Sequence, residues 1–240
     1  MKKLLVAGLA ILGSLGVVGT ALATPVEVTA ITDFTTASTE MTDMAVTAYF
    51  SDDTNESKKW AILDSTQSLG GVSGTGWSLT QIGDTYNTWE EAIYLWVLSV
   101  SQGTSIKKIV LDGLPGETVF DKLWGASSSN PGGEIGTEGS ARGWTFEVYN
   151  NYSSFEGTVS AEYSDPVKLV GYPYVGDLFR TLTITLSDVV PISASTISTI
   201  KFRADTDKMS GGVPVPEPAT LLLFATGLAG LAAVGRRWRN

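Results

Sequence analysis

The chain has 240 residues, 16 of them basic and 25 acidic, for a formal charge of −9. It contains no cysteine and no histidine, which excludes disulfides, thiolate nucleophiles, Cys- or His-ligated metal centres and a His-activated serine. Lys2, Lys3, Arg236, Arg237 and Arg239 lie in the terminal segments with only Glu217 among the acids, so the middle is more acidic than the whole and is a poor partner for nucleic acid or anionic lipid.

The first predicted element is Met1 to Ala23, MKKLLVAGLAILGSLGVVGTALA. Lys2 and Lys3 form a positive start, Leu4 to Val18 an apolar run, and Ala21-Leu22-Ala23 a small-x-small cleavage signal. This order predicts a secretory signal helix at 1–23, cut after Ala23 by signal peptidase. The apolar run is short for a permanent span.

The region that follows, 24–204, reads as one exported domain of about 180 residues, large enough for a core without disulfides. Of the chain's seven Trp, eight Tyr and eight Phe, all but Trp238 and Phe224 fall in this region and supply bulky apolar surface. Alternation of period two predicts strands through Met44, Val46, Ala48 and Phe50; Trp144, Phe146 and Val148; Leu182, Ile184 and Leu186; and Ile200, Phe202 and Ala204. Further strands are predicted at 26–31, 77–82, 93–100, 106–111, 157–163 and 167–170, the run from Ile93 to Leu98 being apolar on both faces. About ten such strands separated by turn signals predict an all-β domain, an antiparallel sandwich of jelly-roll or immunoglobulin-like type. The Ser-, Gly- and Pro-rich stretch 125–139 predicts a surface loop, and 205–214 a linker leaving the domain.

Candidate sites in this domain are few. Asp205-Thr206-Asp207 places two carboxylates at alternate positions, and Asp52-Asp53-Thr54-Asn55-Glu56 makes a second oxygen-rich loop. Either can offer oxygens to Ca²⁺, though neither has the spacing of an EF-hand or a glycine-rich nonapeptide repeat. No cofactor is expected otherwise. Tyr149, Tyr152 and Phe155 beside Asn150 and Asn151, and the group Tyr172-Pro173-Tyr174, could stack on sugar rings. There is no G-x-S-x-G and no P-loop. Pairs of carboxylates are too numerous to single out a glycosidase. The expectation is that the domain is not an enzyme, with no catalytic or metal residue assigned.

The last element has three parts in order: Val215-Pro216-Glu217-Pro218, an unbroken apolar stretch 219–235, and a basic tail with Arg236, Arg237 and Arg239. The stretch is long enough for a minimal transmembrane helix. The arginines hold its end in the cytoplasm. The prolines stop the helix from running back into the domain. The signal helix and this one give the same topology, with the acidic body translocated.

This ordered triple resembles the PEP-CTERM sorting signal of exosortase substrates in Gram-negative bacteria. Gly176 to Leu182, Phe202 to Asp207 and the 106–120 stretch are similar to segments of other such proteins. The resemblance implies transient anchoring in the inner membrane at 215–240 and cleavage near the P-E-P motif by exosortase. It then implies delivery to the cell surface or extracellular matrix, in association with exopolysaccharide and biofilm. A carbohydrate-binding module for exopolysaccharide is the alternative reading, and a matrix glycosidase the third.

Overall fold

A computed structural model describes residues 25–33, 36–85, 94–122, 143–172, 176–190 and 196–210. The signal helix, its cleavage site at Ala23, the 125–139 loop, the P-E-P motif, the 219–235 span and the basic tail lie outside the described residues. No helix among the described residues is long and apolar enough to cross a membrane.

The described residues form fifteen strands: β1 (Val26–Val28), β2 (Ala30–Asp33), β3 (Ala45–Phe50), β4 (Asn55–Lys59), β5 (Ala61–Asp64), β6 (Leu69–Gly74), β7 (Trp77–Ile82), β8 (Trp96–Ser101), β9 (Ile106–Asp112), β10 (Thr118–Asp121), β11 (Glu147–Val148), β12 (Glu156–Leu169), β13 (Leu178–Val190), β14 (Ile197–Arg203) and β15 (Asp205–Ser210). They build two sheets. A six-stranded sheet runs β11-β14-β8-β7-β6-β5. A nine-stranded one runs β2-β15-β10-β13-β9-β3-β4, with β12 joined to β13 and β1 to β12. Every described pairing is antiparallel except β1 on β12. The expected all-β, antiparallel architecture is therefore present.

Alternation explains why the sheets face each other. In β7, Trp77, Leu79 and Gln81 are buried while Ser78, Thr80 and Ile82 are half-buried. In β8 the buried set is Trp96, Leu98 and Val100, and in β14 it is Ser198, Ile200 and Phe202. The nine-stranded sheet answers with Val46 and Ala48, Ile109 and Leu111, and Leu182, Ile184 and Leu186. These side chains form one contiguous core between the sheets, the arrangement of a β-sandwich. Successive residues of β10 separate to opposite faces: Phe120 joins this core and Val119 joins a smaller one with Val28, Val167, Leu169, Leu178 and Met209.

The structure corrects the expected boundary of the domain. Residues 205–210 are not the start of a linker. They form β15, which pairs with β10 through Asp121↔Asp205, Phe120↔Thr206, Val119↔Asp207 and Thr118↔Lys208, and with β2 on its other side. Its polar side chains hid the strand, because Asp205, Thr206 and Asp207 are all fully buried. Between β14 and β15 stands only Ala204, where the chain leaves one sheet for the other. Sheet-switching corners of this kind close the end of a sandwich. The predicted strands at 157–163 and 167–170 are one strand, β12, and the 144–148 alternation yields only the short β11.

Candidate metal centre

The corner after Ala204 brings together what the sequence keeps apart. Asp205 begins β15, and its cross-strand partner is Asp121 at the end of β10. Asp207 lies two residues along β15 and therefore on the same face as Asp205. One carboxylate oxygen from each of Asp121, Asp205 and Asp207 lies within 4.8 Å of the other two. All three residues are buried: Asp121 is 1 % exposed, Asp205 and Asp207 0 %. Gly143 backs onto the Asp121 carboxylate so closely that a Cβ there would overlap it.

The hydrogen bonds leave part of this cluster unmet. Asp205 Oδ1 accepts from Thr85 Oγ1 at 3.0 Å and from the Thr206 N–H at 2.9 Å. Asp205 Oδ2 and both carboxylate oxygens of Asp207 have no hydrogen-bond partner. The cations nearest in sequence are committed elsewhere. Lys208 donates to the carbonyls of Glu40 at 2.8 Å and Gly116 at 3.1 Å. Arg203 pairs with Glu147 at 2.6 Å and lies 4.2 Å over the Trp144 ring. Lys122 sits over the ring of Phe179.

Burial is the main force raising the carboxyl of Asp205 well above the ordinary range, with the charge of Asp121 next. The same two causes raise Asp207, followed by Asp205, Asp177 and Asp33. Buried carboxylates in contact can share protons or ligate a cation, and one left bare is costly. An all-oxygen donor set suits a hard cation and gives a soft metal no thiolate or imidazole.

The second acidic loop behaves differently. Asp52 Oδ1 caps its own turn, accepting from the Thr54 N–H at 3.0 Å and the Thr54 hydroxyl at 2.6 Å. Asp53 pairs with Lys107 at 2.5 Å. Glu56 Oε2 accepts from the Thr75 N–H at 2.8 Å and Trp77 Nε1 at 3.0 Å, while Lys58 reaches Oε1 at 3.1 Å. These carboxylates are consumed singly by turn and strand contacts and do not converge. Asp52 and Glu56 border a surface cleft of about 630 Å³ whose single aromatic is Phe50.

The Thr75 amide, then Lys58, then Trp77, hold the Glu56 carboxyl below its ordinary range. Its contribution is therefore present at neutral pH and is lost as pH falls through that lowered value. Glu56→Gln should cost about 1 kcal/mol at pH 7 and nothing near pH 2. Urea unfolding of both proteins at the two pH values checks this.

The aromatic candidates are dispersed. Tyr149 and Tyr152 stack with ring centroids 6.4 Å apart, and Tyr152 is 52 % exposed. Phe155 packs against the main core. Tyr172 is exposed, and Pro173 and Tyr174 lie outside the described residues. The described tryptophans Trp60, Trp77, Trp96 and Trp144 are all buried and make no open stacking platform.

Residues 214–237 match the family of the PEP-CTERM protein-sorting motif. The match covers Val215, Pro216, Glu217, Pro218, the apolar stretch and the first two arginines of the tail. No curated protein and no solved structure matches the chain. The motif marks an exported protein that is held by a C-terminal membrane anchor before sorting and is processed by exosortase.

Proposed function

From the PEP-CTERM motif at its C-terminus we propose that this chain is a non-enzymatic surface or matrix protein of a Gram-negative bacterium, associated with exopolysaccharide after exosortase releases it from the inner membrane. The observation that carries the reading is the matched motif at 214–237, which begins soon after the last described strand, β15, ends at Ser210. Cleavage near Pro216-Glu217-Pro218 would then free the body with its last strand intact. The N-terminal signal, cut after Ala23, would start translocation. A net acidic body keeps the released domain soluble and disfavours rebinding to anionic lipid.

Intact mass spectrometry of the protein from a host with and without its exosortase tests this. The expected product begins at Thr24 and has lost the apolar stretch and the arginines in the first host. It retains them, membrane-bound, in the second. An identical C-terminus in both hosts would refute the reading.

A further inference from the structure

We propose that Asp121, Asp205 and Asp207 bind one Ca²⁺ ion that ties β15 to β10 at the corner of the sandwich. Three independent observations converge on it. The carboxylates meet across two paired strands with oxygens mutually within 4.8 Å. Calcium–oxygen distances of about 2.3–2.6 Å set the span across one ion at roughly 4.6–5.2 Å, so all three oxygens can touch the same ion. Mg²⁺ dehydrates reluctantly and takes one or two carboxylates with several waters, so a buried set of three carboxylates suits Ca²⁺ better.

The second observation is the unmet oxygens. Both oxygens of Asp207 and Oδ2 of Asp205 are buried without a donor. Asp207 can therefore bind side-on through both, and Asp205 through the oxygen that Thr85 does not hold. A buried carboxylate with neither oxygen bonded is rare in a folded protein, and a ligand accounts for it. The third is the charge balance. Among the described residues, Lys122, Lys208 and Arg203 turn to carbonyls, rings and Glu147, so these neighbouring cations do not offset Asp205 and Asp207. A divalent ion supplies that charge in place. Backbone carbonyls or waters complete the six to eight oxygens calcium takes.

The placement gives the ion a mechanical role. β15 is the last described strand and leads to the sorting motif at 214. Calcium would fasten it to β10 after cleavage leaves it as the chain's end. An affinity of ~10⁻⁴–10⁻³ M, as in extracellular modules, suffices for an exported domain. The affinity range and the role after cleavage rest on the proposed function, and the site itself does not.

The test uses the full chain in detergent micelles, stripped with EGTA and dialysed, with thermal unfolding followed by tryptophan fluorescence. With Ca²⁺ at a hundredfold excess over its dissociation constant, the midpoint should rise by about 5–10 °C. Asp207→Asn is the informative variant, because its amide can donate to the neighbouring carboxylates and removes a buried charge. In EGTA its midpoint should match or exceed that of the unaltered chain. In Ca²⁺ it should fall below, its calcium response lost. No calcium response of the unaltered chain up to 10 mM (~10-fold above the weakest affinity expected), or a full response in Asp207→Asn, overturns the proposal. An equal shift with Mg²⁺ overturns the choice of ion. Because every arm is read on the unprocessed chain, a failed exosortase experiment leaves this result unaffected.

Discussion

Trp96→Ala should destabilise the domain by about 5 kcal/mol and abolish most of its resistance to urea. Trp96 is fully buried at the start of β8. Its ring stands 5.2 Å from that of Trp60 and stacks on Phe202 at 5.9 Å with the planes only 12° apart. Trp→Ala in a core costs about 3–5 kcal/mol through lost transfer energy and the cavity left behind. The indole also does something a hydrocarbon cannot. Its Nε1 donates to the carbonyl of Ala204 at 2.9 Å, at the one residue between β14 and β15. Losing that donor leaves a buried carbonyl unmet, for about 1–3 kcal/mol more. Against a total stability of about 5–15 kcal/mol, this is a large share. Trp96→Phe separates the parts: it keeps most of the ring packing and loses the donor, and should cost about half as much. Chemical denaturation of the three proteins, with the slope checked for constancy, measures both. Equal losses for Ala and Phe would mean that the hydrogen bond, and not the packing, holds the corner.

Trp96 belongs to the part of the fold that alternation makes visible. β7, β8, β9, β13 and β14 each pair an apolar face with a polar one, and their residues announce the sandwich. The strands that escaped detection lack that contrast for different physical reasons. β4 reads Asn55 to Lys59 and is largely exposed, a lysine-bearing edge that among the described strands pairs only with β3. Charged edges of this kind deter further pairing and carry no hydrophobic period. β15 escaped for the opposite reason. Its buried residues are polar, so a pattern that equates polarity with solvent read it as a linker.

The candidate centre divides in the same way. Asp205 and Asp207 were legible as a pair because period two puts both on one face. Asp121 was not, since only the β10–β15 register brings it across. The available signal was Val119-Phe120-Asp121, an apolar run closed by an acid, which locates a strand end and not its partner. The loop from Asp52 to Glu56 looked equally rich in oxygen and proved to be three separate hydrogen-bonding tasks. Local composition could not distinguish these cases, because convergence is a property of strand pairing. The termini needed no such pairing: charge and hydrophobicity in linear order carried the sorting signal, and the family match rests on that order.

β6 poses the remaining problem, for Leu69-Gly70-Gly71-Val72-Ser73-Gly74 has the composition of a loop and the position of a central strand between β5 and β7. The glycines are there because neighbours come too close for a side chain. A Cβ on Gly70 would overlap both the Ser38 carbonyl oxygen and Trp60 Nε1. Those two atoms are themselves bonded, Trp60 Nε1 donating to Ser38 O at 2.7 Å in a buried setting. Gly70→Ala must therefore push apart a backbone carbonyl and a buried indole. Overpacking costs about 1–3 kcal/mol and a broken buried hydrogen bond about 1–3 more, so a loss of about 3 kcal/mol is expected. Gly103 provides the contrast. Nothing lies within 4 Å of a Cβ built there, but its φ is +86°. Gly103→Ala should cost only about 1 kcal/mol, all of it backbone strain. Because Trp60 also packs on Trp96, the two core perturbations are coupled, and Gly70→Ala combined with Trp96→Ala should cost less than the sum of the two alone. Additive losses would show that the indole of Trp60 yields to the new methyl without disturbing its ring neighbour.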